Sequence, residues 1–469
     1  MEGTSVHPYW NLSWRLFGRV LAFLLIPWGL SLVNRNVSRG KSALESTWWL
    51  ISGKWMAEHP GLGRAFVTSL EQVIAAVVIS VAIALLVRAA ASWLRDAQWA
   101  GFAFRWTLFP FLLAPIVAVA VLWSESAGFG NILISALLIS LYPAGVSALA
   151  SVRSKEIWET VSLDFHSLSN AIGGLIVTES VFGIDGLGSR FITGLKAARW
   201  DDVFWTTFMI GAVVLVLHVL GDLSSVRVDF SRAKSRGQTD EPSSNSAVPT
   251  WASVGVGAAA LLAIALLKNN WAVAAMKTSG AFLILSPLLF APAVGWGVLT
   301  GELRHKGGKA RETLAGILSW PLYLFFALPG FFWVFAALAA SSGSRDVLGA
   351  IAIFYLLPRL AAVSSEAWGK RPHRSGSKIY GWQHGAIMLI ALMAWTAGTG
   401  VFAISVPGFM GFGLPDVEPE LGRMIAKAMQ SGGWLAPTLA LVYVPFIWNS
   451  IADSVIHLIK VDERKQWIW

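Results

Sequence analysis

The sequence is dominated by apolar blocks about as long as a lipid bilayer is thick. A transmembrane helix needs roughly 17 to 25 predominantly apolar residues, and twelve blocks of about that length recur along the chain. They lie at 12–33, 65–87, 104–123, 131–152, 167–182, 203–223, 251–267, 279–300, 319–340, 347–363, 385–406 and 434–459. Because lipid offers the backbone no hydrogen-bond partner, each block is predicted to be helical. The sequence therefore predicts an all-α, polytopic membrane protein with about twelve transmembrane helices.

Composition excludes several other classes of protein. Charged residues make up only 13% of the chain, whereas soluble domains carry about 25%. The chain has no cysteine, which excludes disulfides, thiolate metal sites and cysteine nucleophiles. A net charge of +9 is explained by cationic loops beside membrane lipid, so no nucleic-acid partner is expected. No catalytic triad or suitably spaced acid pair is visible, so we expect no catalytic residue and no enzyme activity.

A polar segment divides the apolar blocks into two sets of six. Residues 231–250 are rich in serine and proline and too hydrophilic to bury, which is typical of a linker. The predicted units are a first half at 1–230, a cytoplasmic linker at 231–250 and a second half at 251–469. Two equal sets of blocks indicate a duplication or a fusion.

The distribution of Lys and Arg predicts the orientation of the chain. With the N-terminus inside and the blocks alternating sides, about two thirds of the 36 basic residues fall on the inner side. Both termini and the linker are therefore predicted to be cytoplasmic.

The two halves end with similar motifs. The first carries Glu179-Ser-Val-Phe-Gly-Ile-Asp-Gly-Leu-Gly188, and the second carries Val406-Pro-Gly-Phe-Met-Gly-Phe-Gly-Leu414. In each half a polar stretch and a last apolar helix follow. Glycines at these positions permit tight turns where a helix ends, and the same order of features in two places strengthens the signal.

These motifs resemble the permease subunits of dipeptide, oligopeptide and nickel ABC importers. The first half is similar to the first permease of such systems, with Asp185 where the family has proline. The second half is similar to the partner permease, with Leu421 in place of a tryptophan. The resemblance assigns structural roles in the motifs to Glu179, Gly186, Gly188, Gly411, Gly413, Pro415 and Gly422.

The resemblance implies a function and a set of partners. It implies a multi-pass permease of the bacterial inner membrane that imports peptides or similar small solutes, with no cofactor and no bound metal. The chain has no G-x-x-x-x-G-K-[ST] phosphate loop, so separate cytoplasmic ATPase subunits would supply the energy. An extracytoplasmic substrate-binding protein is a further expected partner.

Such ATPase subunits grip a short cytoplasmic helix in each permease half. The residues in these places are Glu156, Ile157, Trp158 and Glu159 in the first half, and Glu366, Ala367, Trp368 and Gly369 in the second. The first loop is shorter than the family's usual loop. Even a fully helical segment from Arg153 to His166 reaches only about 20 Å. The sequence therefore predicts a lopsided contact that is closer in the second half.

Several ionisable residues lie in or beside apolar spans, where charge is costly. They are Glu71, Glu179, His218, Asp222 and Asp453. We expect most of them to be solvated by lipid headgroups at the ends of the spans or paired with a neighbouring side chain. We expect His218 to form a hydrogen bond between helices. The histidines His166 and His384 make a poor metal site. The acidic run Asp416, Glu418 and Glu420 is expected to be a solvated loop, with contact to a binding protein or a cationic solute as the alternative.

Two other functions stay open at this stage. The chain could be a degenerate permease kept as a scaffold subunit of a larger membrane complex, which the shortened coupling loop suggests. It could also be a secondary transporter driven by an ion gradient, which would require buried charges on broken helices near the middle of the membrane.

Overall fold

The structure of the chain is a computed structural model. The structure describes residues 8–33, 48, 52, 60–93, 110, 120, 132–151, 157–235, 250–305, 309–340, 346–369, 381–414, 419–431 and 433–457. Everything in this range that has regular secondary structure is helical.

The helices of residues 8–235 are numbered in chain order. They are α1 Pro8–Leu24, α2 Ile26–Val33, α3 Pro60–Trp93, α4 Ile132–Ser151, α5 Ile157–Ala171, a 3₁₀ turn at Ile172–Gly174, α6 Leu175–Val181, α7 Leu187–Lys196 and α8 Trp200–Ser235. The predicted span at 104–123 lies outside the described residues, apart from positions 110 and 120.

The helices of residues 250–457 follow in the same numbering. They are α9 Thr250–Leu266, α10 Asn270–His305, α11 Lys309–Phe326, α12 Gly330–Ala340, α13 Asp346–Ala350, a π-helix at Ile351–Leu356, α14 Leu357–Gly369, α15 Gly381–Phe409, α16 Leu421–Ser431 and α17 Leu435–His457. The first residues of the predicted linker at 231–250 form the end of α8. Residues 236–249 lie outside the described residues.

Six helical segments are long and apolar enough to cross a bilayer. They are Gly61–Val87, Trp200–Ser225, Asn270–Leu289, Val347–Ser365, Gly385–Phe409 and Leu435–Ala452. The bent pair Thr313–Phe326 and Gly330–Ala339 passes the same test as one broken span. An all-helical protein with several apolar helices suited to a membrane is therefore confirmed.

Helices pair in a recurring order in the two parts of the chain. In the first part α3 packs along α4, α5 along α8, and α1 along α8. In the second part α10 packs along α14, α15 along α17, and α9 along α17. A single buried apolar cluster extends from Ala22 to Ala452 and includes residues of both parts.

Proline does not break most of these helices. Pro143, Pro287 and Pro407 lie inside continuous helices. At Pro329, by contrast, the chain leaves α11 and enters α12 with a bend of 68°. A proline removes one backbone donor and crowds the preceding turn. Residues 327–330 at this bend are buried among the neighbouring helices.

Candidate functional site

Three interruptions of helical geometry meet at one buried place. The first is the 3₁₀ turn at Ile172–Gly174, the second the break before Gly330, and the third the π-helix at Ile351–Leu356. A Cβ atom added at Gly173 would lie 3.1 Å from Pro329 Cβ, and one added at Gly330 would lie 2.7 Å from Tyr355 Cδ2. Mid-helix 3₁₀ and π segments often mark functional positions. Broken helices also form the solute sites of many membrane transporters.

Aromatic rings and one arginine surround this junction. The ring centroid of Phe331 lies 4.7 Å from that of Tyr355 and 5.4 Å from that of Phe402. The Arg359 guanidinium lies over the Tyr355 ring, 3.9 Å from its centroid. Arg359 lies within the apolar segment Val347–Ser365.

The first end motif folds into a turn that is organised by Glu179. Its fully buried carboxylate accepts hydrogen bonds from Ser69 Oγ at 2.5 Å and from Gln72 Nε2 at 3.2 Å. The other carboxylate oxygen accepts the backbone N–H groups of Gly188 at 2.7 Å and Ser189 at 3.1 Å, in the first turn of α7. Glu179 therefore caps α7 from a preceding helix and joins it to α3.

The Glu179 turn is packed so closely that two of its positions leave no space for a side chain. A Cβ at Gly186 would overlap the carboxylate, and a Cβ at Gly188 would approach the backbone of Leu175 and Ile176. Any larger residue at either position would therefore push α7 away from α6.

The second end motif is organised by Glu420, the residue directly before α16. Its side chain is 1% exposed, and its carboxylate accepts the backbone N–H of Leu414 at 3.2 Å. The expectation that Glu420 belongs to a solvated loop is wrong, because Gly408 and Gly413 leave the space in which its carboxylate lies. Desolvation by burial raises the pKa of Glu420 to about 7, against the hydrogen bond from Leu414 and the charge of Arg423.

The two turns share one backbone geometry. Ile184 N–H bonds to Glu179 O at 2.9 Å, and Phe412 N–H bonds to Pro407 O at 2.8 Å. Gly183 and Gly411 both have a positive φ, of 65° and 87°, a conformation that favours glycine at a helix C-terminus.

The carboxylate reaches this shared turn from a different chain position in each case. In this register Pro407 stands where the first turn has Glu179, and Leu414 stands where the first turn has Gly186. Glu420 comes later in the chain and matches Gly186 only as the residue directly before the short helix. Each acid faces a glycine that leaves it room. Gly411 and Gly413 lie in the second turn and Gly422 lies in the first turn of α16, whereas Pro415, Asp416 and Glu418 lie outside the described residues.

A second polar cluster lies between α1, α5 and α8. Arg19 Nε and Asp222 Oδ2 are 2.5 Å apart, and His166 Nε2 is 3.5 Å from Asp222 Oδ1. His218 Nε2 lies 3.3 Å from Phe326 O at the end of α11, and the predicted helix-to-helix hydrogen bond of His218 is thereby confirmed. The described residues contain no group of three or more His, Asp or Glu placed to hold a metal ion.

The predicted coupling residues lie at helix ends. Ile157, Trp158 and Glu159 form the start of α5, and Glu156 lies outside the described residues. Glu366, Ala367, Trp368 and Gly369 form the end of α14. The Trp368 indole N–H donates to Glu302 Oε2 of α10 at 2.9 Å, which ties this end of α14 to its neighbour.

Comparisons with protein families, with curated proteins and with solved structures find no match to this chain.

Proposed function

We propose that this chain is the membrane-embedded permease of a solute transporter, formed by two fused permease halves of an ABC importer. The halves are residues 1–230 and 251–469, joined by the linker at 231–250, with about twelve helices in all. Both termini and the linker are cytoplasmic in the inner membrane. Separate ATPase subunits supply the energy, a binding protein delivers the solute outside, and peptides or similar small solutes are the cargo.

The observation that carries this proposal is the recurrence of one turn and short helix in two places. Gly183 and Gly411 end the preceding helices with the same backbone hydrogen bond, and a buried carboxylate then lies beside the next short helix. In the first half the short helix α7 is followed by α8, which packs on α5. In the second half the short helix α16 is followed by α17, which packs on α15. Such recurrence is expected of two related halves.

The translocation path would pass the junction of helix interruptions. The 3₁₀ turn comes from the first half, and the break and the π-helix come from the second. The ring centroids of Phe191 and Phe332 lie 4.6 Å apart across the same contact. Rocking of one half against the other would open this contact alternately to each side of the membrane.

The test of the proposal is cross-linking of the cytoplasmic face to the ATPase subunits. The absence of cysteine allows single cysteines to be placed at Glu366 and at Glu156. Glu366 is preferred to Trp368, because replacing Trp368 would also remove its bond to Glu302. We expect a strong cross-link from position 366, a weaker one from 156 and none from exposed Asp201 in the predicted outer segment. Equal cross-links from 156 and 366 would contradict the asymmetry, and none from either would reject coupling to an ATPase.

A secondary transporter driven by an ion gradient is the second candidate. The broken span at α11 and α12 and the buried pair of Arg19 with Asp222 favour it, because such transporters use broken helices and buried charges. Solute uptake that collapses with the ion gradient and persists without ATP would select this candidate. A chain that transports nothing and binds no ATPase would instead be a scaffold subunit.

A further inference from the structure

Arg359 is a cation within an apolar segment that has no acidic partner among the described residues. It lies one turn beyond the π-helix, inside the segment Val347–Ser365. Within the described part of the chain, no carboxylate lies within 4.0 Å of its guanidinium. Arg19, by contrast, is paired with Asp222. A cation at membrane depth is costly unless it is paired, and it usually marks a functional position.

Arg359 and the Tyr355 hydroxyl offer hydrogen-bond donors at this junction. A guanidinium has five N–H donors, and one of them donates to Tyr355 O at 3.0 Å. The Tyr355 side chain is only 7% exposed, and its hydroxyl makes no hydrogen bond within the described residues. A guanidinium without a carboxylate partner among the described residues, beside a free hydroxyl, favours an anionic ligand.

The break before α12 adds to this positive environment. A Cβ at Gly330, the first residue of α12, would lie 2.8 Å from Arg359 Nη1, so the guanidinium adjoins the start of that helix. Helix N-termini carry a partial positive charge. Two positive groups held together in a low dielectric stabilise a negative charge placed between them.

The single charge of Arg359 and the apolar rings beside it restrict the kind of ligand that could bind. One guanidinium neutralises one negative charge, and a dianion would leave excess charge in an apolar site. The rings of Phe331 and Phe402 lie beside Tyr355 and offer an apolar flank. A carboxylate on an apolar or peptide-like body satisfies both conditions.

We propose that Arg359 and Tyr355 form a site for the carboxylate of the transported solute, at the junction of the helix interruptions. This inference rests on the proposed function and names its substrate class. Such a ligand would bind most tightly to the state in which both groups face it.

The test measures binding to the full purified chain in neutral detergent, without ATPase subunits. N-acetyl-phenylalanine and its amide differ only in the carboxylate, and equilibrium dialysis with each gives the contribution of that charge. We expect the acid to bind and the amide to bind at least 10-fold more weakly. Arg359→Gln should weaken binding of the acid by about 10- to 100-fold. Arg199→Gln, at an exposed arginine paired with Asp202, is the matched control and should leave binding unchanged.

Tyr355→Phe keeps the ring under Arg359 and removes only the hydroxyl, so it tests the site even if Arg359→Gln does not fold. We expect a loss of about 3- to 10-fold with this variant. Equal binding of acid and amide, or full binding by a folded Arg359→Gln chain, would overturn the inference. Arg359-dependent binding of phosphatidylglycerol in place of the acid would also overturn it, since the site would then hold a lipid. The cross-linking to ATPase is independent of these results, so failure of the site and failure of the proposed function are distinguishable.

Discussion

Replacing Glu179 by alanine should destabilise the protein strongly. The carboxylate is fully buried and accepts hydrogen bonds from Ser69, Gln72, Gly188 and Ser189. The two side chains can turn away, but the two backbone N–H groups cannot. Each donor left unsatisfied in a buried site costs about 1–3 kcal/mol, so we expect a loss of about 4 kcal/mol in the free energy of unfolding.

The assay is equilibrium unfolding in mixed micelles of neutral detergent and dodecyl sulfate, followed by tryptophan fluorescence. Glu71→Ala is the matched control, because Glu71 lies on the adjoining helix α3 and is exposed. We expect this control to change the free energy of unfolding by no more than about 0.5 kcal/mol. A loss of less than about 1 kcal/mol for Glu179→Ala would refute the role of the carboxylate as a cap.

A second substitution tests the equivalence of the two turns. Gly186 has φ −116°, a conformation open to any residue, and it precedes α7 as Glu420 precedes α16. The double variant Glu179→Ala with Gly186→Glu would therefore move the carboxylate to the position directly before the short helix, where the second turn has Glu420. We expect it to recover about 2 kcal/mol of the loss, since a carboxylate at this position can accept the N–H groups of Gly188 and Ser189. No recovery would contradict the equivalence.

Two further predictions concern Glu420 and the linker. The folded-state pKa of Glu420, raised from 4.5 to about 7, means that the folded protein binds more protons than the unfolded chain between these values. Stability should therefore fall by about 3 kcal/mol as pH rises from about 4.5 to 7, and Glu420→Gln should remove that part of the pH dependence of Tm. A single cysteine at Asp240 should react with a membrane-impermeant maleimide only in inside-out vesicles, and labelling from the outside alone would reject the predicted orientation.

Helix positions were largely predictable because the lipid environment constrains composition so strongly. The predicted span at 385–406 falls within α15, Gly381–Phe409, and the predicted span at 347–363 falls within 346–369. The bounds differ because these helices continue beyond the apolar blocks into more polar sequence. Composition marks where a chain can be buried in lipid and does not mark where its helix ends.

The interruptions at the junction could not be predicted from the same pattern. The predicted span at 319–340 contains both Pro321 and Pro329, yet only Pro329 lies at a break. Whether a proline breaks a helix depends on which neighbours can satisfy the freed backbone groups. The π-helix at Ile351–Leu356 consists wholly of apolar residues and gives no local signal.

Burial of Glu420 was missed for a related reason. It ends a polar run that includes Asp416 and Glu418, which is typical of a solvated loop. The glycines that leave it room, Gly408 and Gly413, become its neighbours only when the turn has folded. One signal was present, since an acidic residue directly before Leu421 is well placed to cap the helix that follows.

Purification of the full chain from its native membrane in a mild neutral detergent tests the proposed function most directly. Proteins that remain bound are identified by mass spectrometry, and hydrolysis of magnesium-ATP by the same preparation is measured. The proposed function predicts that ATPase subunits co-purify in fixed proportion to the chain and that the preparation hydrolyses ATP. An intact, folded chain with no ATPase bound and no ATP hydrolysis would contradict it.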